Sequence, residues 1–379
     1  MAAPIRLAAL VTDYRPGTHA DVLLSKFIHG FPCDEEAVHK PRTMIASLYI
    51  DQFPPGSIGR AVAKEHGIPV YNSIMAALTL GDDRYYEDHS ERQVGTGSAE
   101  GAPFSFKEPS GGPPARGALH LAPQLAVDGV LIIAEHGDWP WNEEEARIHP
   151  RKPWLEQVCA VFAQSGGKVC PVFNDKHLAP SWADSVWMVE RCKELGAPFM
   201  AGSSVPGCWR APFLEHPAGT DLEEAVAVMN GGPDIYGAHA LETLQAFVER
   251  RGPTASETGV AAVQSVQGEA FWAAGRIGLF SLELVVAACA AVSPTTLAEL
   301  EGFDFTDDDP PMAWLIEYRD GLRAAVVSLN GFVSGNGYAA RVWDGGGGGG
   351  GGGESRIEAC KSSMFGGMVK NPDGPTLCE

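Results

Sequence analysis

The chain has 379 residues, of which 45% are hydrophobic and 20% charged, and its formal net charge is −20. This is a globular composition, long enough for one large or two ordinary domains. The acidic balance disfavours nucleic acid and anionic lipid, and no Lys/Arg cluster overrides it, so the expected partner is a small molecule. The eight cysteines (33, 159, 170, 192, 208, 289, 360 and 378) include no C-x-x-C pair and no zinc-like spacing. Several lie in apolar runs, where Cys acts as a small hydrophobe, and a reduced, cytoplasmic setting is expected. The start of the chain enters a strand-like run without a signal-peptide pattern, and the apolar stretch near 279–292 contains Glu283 and is short for a membrane span.

In chain order, 6–14 ("RLAALVTDY") reads as a buried strand and "HADVLLSKFIHG" as a helix. Residues 42–51 form the next strand. "SIGRAVAKEHG" is a helix that Ser57 can cap and Gly67 can end, with Ile58, Ala61 and Val62 on one face. "IPVYN", 127–134, 168–174 and 197–204 read as further strands. Between them come the helices "SIMAALTLG", 153–167 and "SWADSVWMVERCKELG". The last begins with a capping pattern at Ser181 and Asp184 and carries Trp182, Val186 and Val189 along one side. Such alternation implies right-handed βαβ units and a parallel sheet covered on both faces.

The pattern changes after about residue 206. "AHALETLQAFVERRG" and "EAFWAAGRIGLFSLELVVAACA" read as helices. "TGVAAVQSVQG", "TTLAELEGF", "MAWLIEYRDG", "LRAAVVSLNGFVSG" and "YAARVWDG" read as strands, with "EYRDGLR" a turn. The expected organisation is a Rossmann-like α/β domain over 1–205 and an α+β domain with a mostly antiparallel sheet over 206–379. Residues 82–118 are polar and rich in Gly, Pro and Ser and read as a disordered surface insertion; the glycine run 345–353 reads as a flexible loop spacer. The open sheet of the second domain is a candidate surface for a homo-oligomer.

Three stretches resemble the Gfo/Idh/MocA family, the glucose–fructose oxidoreductase and inositol dehydrogenase type of NAD(P)-dependent enzymes. "YID" followed by a helix and "KEHGIPVYNSIMAAL" is similar to the family's acid-ended strand, helix and G-[IV]-P-x-Y-x-[ST] segment. "SGGKVCPVFNDKHLAPSWADSVWMVERCKELGAPFMAGSS" resembles its Glu-Lys-Pro segment with the helix and strand that follow, and "YGAHALETL" its G-x-H-x-x-D motif. The resemblance implies that Asp175, Lys176 and His177 stand where the family has Glu-Lys-Pro, with Lys176 between nicotinamide and substrate. It makes His239 the second acid/base residue and puts Glu242 in place of the family's aspartate. Asp51, at the end of the second strand, then takes the adenosine ribose and favours NAD over NADP.

The first turn departs from the family. Three glycines that would let backbone approach a pyrophosphate are reduced to Gly17, and Asp13 adds negative charge that Arg15 offsets. Weak NAD binding through Thr12, Asp13, Gly17, Thr18, Asp51, Glu135 and His136 is the expectation. His177, Ser203, Arg210 and Glu242 are the expected substrate contacts, Arg210 as a partner for an anionic group. Ser204 and Asp138 share the same edge. A strand-end lysine packs little, so loss of Lys176 should leave thermal stability unchanged, and His216, in the loop entering the second domain, should be silent when replaced. Two other readings stay open. One is a metal-dependent hydrolase, lyase or isomerase using His136, Asp138, Asp175, His177 and His239. The other is a non-catalytic binding protein of the same fold. The family's closing helices are not evident after the glycine run, which reads as an incomplete C-terminus.

Overall fold

The structure, a computed structural model, describes residues 3–34, 37–81, 124–144, 146–203, 205–252, 258–343 and 354–363. The expected insertion at 82–118 and the glycine run fall outside these residues, as do the last sixteen positions. In the first half, β1 (Ile5–Val11) leads into α1 (His19–His29) and a small hairpin of β2 (Phe31–Asp34) and β3 (Ala37–His39). β4 (Thr43–Ile50), α2 (Gly59–Glu65), β5 (Val70–Tyr71) and α3 (Ile74–Thr79) follow. The unit is completed by β6 (Gly129–Ile133), α4 (Arg151–Gln164), β7 (Val172–Asp175), α5 (Trp182–Leu195) and β8 (Phe199–Gly202). Six strands form a parallel sheet in the order β5-β4-β1-β6-β7-β8. Leu24 of α1 and Ala63 of α2 pack with Leu7, Val11 and Ile50 on one face; α3, α4 and α5 pack with Leu10, Ile132 and Val172 on the other. Burial on both faces is why β1 and β6 read as unbroken apolar runs. The chain leaves β1 toward β4 and later returns to its other side as β6. The β1/β6 gap is therefore the topological switch point, where ligands of such sheets bind.

The second sheet has the order β11-β12-β13-β10-β14-β15-β9 and is antiparallel except for the β10–β13 pair. Its strands are β9 (Trp209–Ala211), β10 (Leu222–Met229), β11 (Val260–Gln267), β12 (Met312–Tyr318), β13 (Arg323–Ser328), β14 (Asn336–Trp343) and β15 (Ser355–Ser363). One face is covered by α6 (Pro233–Val248), the other by α7 (Glu269–Arg276), α8 (Leu282–Val292) and α9 (Leu297–Glu301). Trp343 pairs with Ser355, so the glycine run joins two adjacent strands. None of the described helices is long and apolar enough to cross a membrane.

Several local expectations change. "TTLAELEGF" is not a strand: Thr296 and Glu299 close a capping box that starts α9. The long helix expected from 269 divides into α7 and α8, with Gly278 at positive φ between them and Ser281 capping the second. β10, central in the second sheet, was not expected; its Leu-Glu-Glu-Ala start has no strand-like alternation. Ser57 does not cap α2; its hydroxyl bonds the Tyr14 carbonyl at 3.3 Å, and Ala61 is exposed. On α5 the Ser181 cap forms, but Met188 and Cys192 face the core, while Trp182 (82% exposed), Val186 and Val189 face solvent.

His216 is buried rather than a passive loop residue. Its Nε2 lies 3.1 Å from the Tyr338 hydroxyl and its Nδ1 3.2 Å from Glu358, while Tyr338 stacks on Phe247 at 3.8 Å. The ring thus ties the loop before β10 to β14 and β15. Replacing His216 by Ala strands the buried Tyr338 hydroxyl, and a loss of about 1–3 kcal/mol is expected. Urea unfolding monitored by circular dichroism checks this: the midpoint falls, with the slope unchanged.

Candidate active site

Five strand ends of the first sheet open on one edge. Thr12 and Asp13 follow β1, Asp51 follows β4, Glu135 and His136 follow β6, Asp175 ends β7 and Ser203 follows β8. Helix α6 of the second unit lies against this edge and brings His239 and Glu242 to it. Gly202, at φ +141°, permits the contact, because a Cβ there would run into the Glu242 carboxylate. The Ser203 N–H donates to Glu242 Oε1 at 2.9 Å, and Ser203 Oγ lies 2.5 Å from His239 Nδ1. Burial pushes the Glu242 carboxyl up and holds His239 down at about 3, so that imidazole is neutral at pH 7.

Lys176 lies at the centre and is 0% exposed. Its ammonium donates to Glu135 Oε1 and, at 2.7 Å, to the Ile235 carbonyl of α6; the other Glu135 oxygen accepts from Arg151 at the start of α4. Glu135 is therefore occupied by two cations and does not stand open to a cofactor as expected. Lys176 is likewise not a solvated strand-end residue, because the second unit closes over it. A buried ion pair broken on one side leaves an uncompensated charge.

A second group surrounds His19, the first residue of α1, which the sequence reading missed. His19 Nδ1 lies 2.5 Å from Asp175 Oδ2, and its ring lies 5.2 Å from that of His136 and 5.8 Å from that of His239. Burial raises the Asp175 carboxyl, but the His19 hydrogen bond and charge, with Lys176, outweigh it and hold it below the usual range. Burial also holds His136 and His177 at about 4 and His149 at about 3. The only signal for His19 was its place directly after the Gly17 turn.

The β1–α1 turn departs from a glycine-rich loop but keeps an anion-facing end. Thr18 does not cap α1; its hydroxyl bonds the Arg15 carbonyl at 2.8 Å, so no side chain covers the N-terminal amides of His19 and Ala20. Gly17 takes φ +76° and its N–H donates to Asp21 at 2.9 Å. Asp13 is buried and pairs through one oxygen with Arg15 Nε at 2.6 Å; its other oxygen and the Thr12 hydroxyl have no hydrogen-bond partner. Asp51 accepts from the Tyr49 hydroxyl at 2.7 Å, and burial raises its carboxyl.

No protein-family profile matches the chain, and no curated protein does. The chain is similar to several solved structures at low identity. GenD2 from gentamicin A biosynthesis, solved with NAD, is 12% identical with a TM-score of 0.47, over 97% of this chain and 74% of that one. Myo-inositol 2-dehydrogenase from Lactobacillus plantarum is 9% identical with a TM-score of 0.46, over 93% and 76%. UDP-N-acetylglucosamine 3-dehydrogenase from Acidithiobacillus ferrooxidans is 9% identical with a TM-score of 0.43, over 94% and 83%.

The remaining expected contacts disperse. Arg210 sits on β9 in the second sheet, donates to the Leu214 and Pro206 carbonyls and covers Phe247 at 4.2 Å, so its guanidinium is spent on holding a loop. Asp138 is exposed, and its backbone is clipped to the Gln52 side chain. His177 sits within electrostatic reach of Arg151, Glu135 and His149. Ser204 lies outside the described residues. Among the described residues no three His, Cys, Asp or Glu side chains converge to hold a metal ion, so the alternative metal-dependent reading gains no support from His136, Asp138, Asp175, His177 and His239.

Two expectations follow from this burial. Glu135→Leu leaves Lys176 and Arg151 without their shared buried anion and should lower stability by about 3–5 kcal/mol, and adding Lys176→Met should restore part of it; thermal midpoints of the two single variants and the double variant test the coupling. The four histidines held at about 3–4 bind protons in the unfolded chain from about pH 6.5 downward. Stability is thus fully present above that pH and is lost as pH falls toward 4, by up to about 1.4 kcal/mol per pH unit for each neutral ring. Urea midpoints between pH 7.5 and 5, on the order of half a unit apart, should fall steadily; a flat profile means the rings are charged.

Proposed function

We propose that the chain is an NAD-dependent oxidoreductase acting on a hydroxyl/carbonyl pair of a sugar, cyclitol or related small polar molecule. The observation that carries this reading is the convergence at the switch-point edge of Lys176, Asp175 and His239 beside an uncapped helix N-terminus. The residues fit a dinucleotide in its main parts. The α1 amides and Arg15 are placed for the pyrophosphate, with Asp13 weakening the site, and Asp51 is placed for the ribose hydroxyls, which favours NAD over NADP. A bound nicotinamide would supply hydride exchange; everything else is asked of the chain. Lys176 has two of its three N–H groups occupied, and the third is left to hold the reacting oxygen. Glu135 and the Ile235 carbonyl fix that ammonium in place, which preserves its aim through the reaction.

The nearby surface that could receive a substrate is carried by the start of α6 and the loop after β6. A cleft of about 800 Å³ is lined by Trp141, Glu144, Asp234 and Ile235, whose carbonyl holds Lys176. A half-exposed indole, with the Arg147 guanidinium 4.5 Å over its ring, and two carboxylates suit the C–H and O–H surfaces of a polyol.

Titration calorimetry with NAD should show binding weaker than micromolar, and weaker still for NADP; Asp51→Ala should narrow that difference. With a polyol panel, Lys176→Met should lower kcat by about a hundredfold or more, measured well below its melting temperature. Absence of NAD binding at millimolar concentration would remove the dehydrogenase reading.

A further inference from the structure

The two histidines at the site differ in which ring nitrogen is protonated, and this divides their chemistry. The assignment builds on the dehydrogenase reading and starts from hydrogen-bond contacts that stand without it. Ser203 Oγ accepts the Val205 N–H at 3.0 Å, and its single proton has His239 Nδ1 at 2.5 Å as acceptor. With that proton directed to Nδ1, His239 carries its own proton on Nε2; the hydroxyl oxygen can also accept twice, so this tautomer is part of the proposal below. A neutral imidazole in that tautomer offers the site a donor and no free lone pair. His19 is the reverse. Asp175 is buried and ionised, and a carboxylate only accepts, so Nδ1 of His19 donates to it. That leaves Nε2 of His19 with its lone pair, on a ring whose side chain is 21% exposed and can pass a proton to water. A carboxylate behind an imidazole fixes this tautomer and stabilises the imidazolium once formed.

We propose that His19, backed by Asp175, is the proton acceptor for the substrate hydroxyl, and that His239 is a hydrogen-bond donor to the same oxygen. In oxidation the O–H bond breaks and its proton goes to His19 Nε2. The hydrogen on carbon leaves as hydride to the oxidised nicotinamide dinucleotide named above, and the C=O bond forms. Lys176 and His239 keep their protons and hold the oxygen. The groups facing His19 are compatible with this division. Asp175 attracts the new charge, His136 and His239 stay neutral, and the positive Lys176 is already paired with Glu135.

The test reads tautomers directly. Long-range ¹H–¹⁵N spectra of the histidine-labelled protein, assigned with His19→Gln and His239→Gln, should show Nδ1–H at His19 and Nε2–H at His239. Diethyl pyrocarbonate, read by mass spectrometry, should acylate His19 well before His239, and Asp175→Asn should slow that acylation by about tenfold. A proton on Nε2 of His19, or equal reactivity of the two rings, overturns the proposal. With NAD and a polyol that turns over, His19→Gln should lower kcat by about a hundredfold or more, the scale for losing a positioned proton acceptor. If NAD fails to bind, the dehydrogenase reading falls on that measurement, while the spectra still decide between the two histidines.

Discussion

The carboxylate of Glu135 is the pivot of this molecule. It stands two residues beyond β6, and its two oxygens hold Lys176 just past the end of β7 and Arg151 at the start of α4. Lys176 in turn reaches the Ile235 carbonyl in α6. One buried anion thus links two neighbouring strands and a helix, and through the lysine the second unit. Desolvating such ions costs several kcal/mol each, on the order of what their pairing returns, so the arrangement adds little net stability and mainly fixes geometry. Position is what an ammonium needs if it is to hold a reacting oxygen.

The charges around this pivot cancel. Glu135 and Asp175 are matched by Lys176 and Arg151, and Asp13 by Arg15. The histidines add nothing to this balance at neutral pH where burial keeps them uncharged, as at His136, His149, His177 and His239. The ion pairs at this pivot are thus matched within a chain of net charge −20. Arg210, the cation expected to hold a substrate anion, is occupied elsewhere by backbone carbonyls, in keeping with that balance.

The first half was legible because its periodicity is simple. Parallel strands buried on both faces leave unbroken apolar runs, and helix caps such as Ser73 and Ser181 leave local marks. The second half was less so. β10 lacks alternation, and α9 was hidden because Thr-Thr-Leu reads as a strand until Glu299 closes the cap. In the site, Lys176, Asp175, His239 and Ser203 were visible through order and resemblance. His19 and Arg151 were not, because their partners are chosen by the fold: His19 meets Asp175 across 156 positions, and Arg151 meets Glu135 across a loop. Local sequence records which groups are available and leaves their pairing to the tertiary structure.

The misjudged burials have a common cause. An open sheet edge, considered alone, leaves Lys176 and the histidines in water, where a lysine packs little and an imidazole titrates near its ordinary range. Once α6 rests on that edge through Gly202 and Glu242, the same residues are enclosed. Enclosure depresses the histidines, forces Lys176 into an ion pair and makes each hydrogen bond at the site stronger than it would be in water. The second unit therefore does more than supply a substrate wall. By covering the strand ends it turns a row of otherwise solvated polar residues into buried groups whose partners are set by the fold.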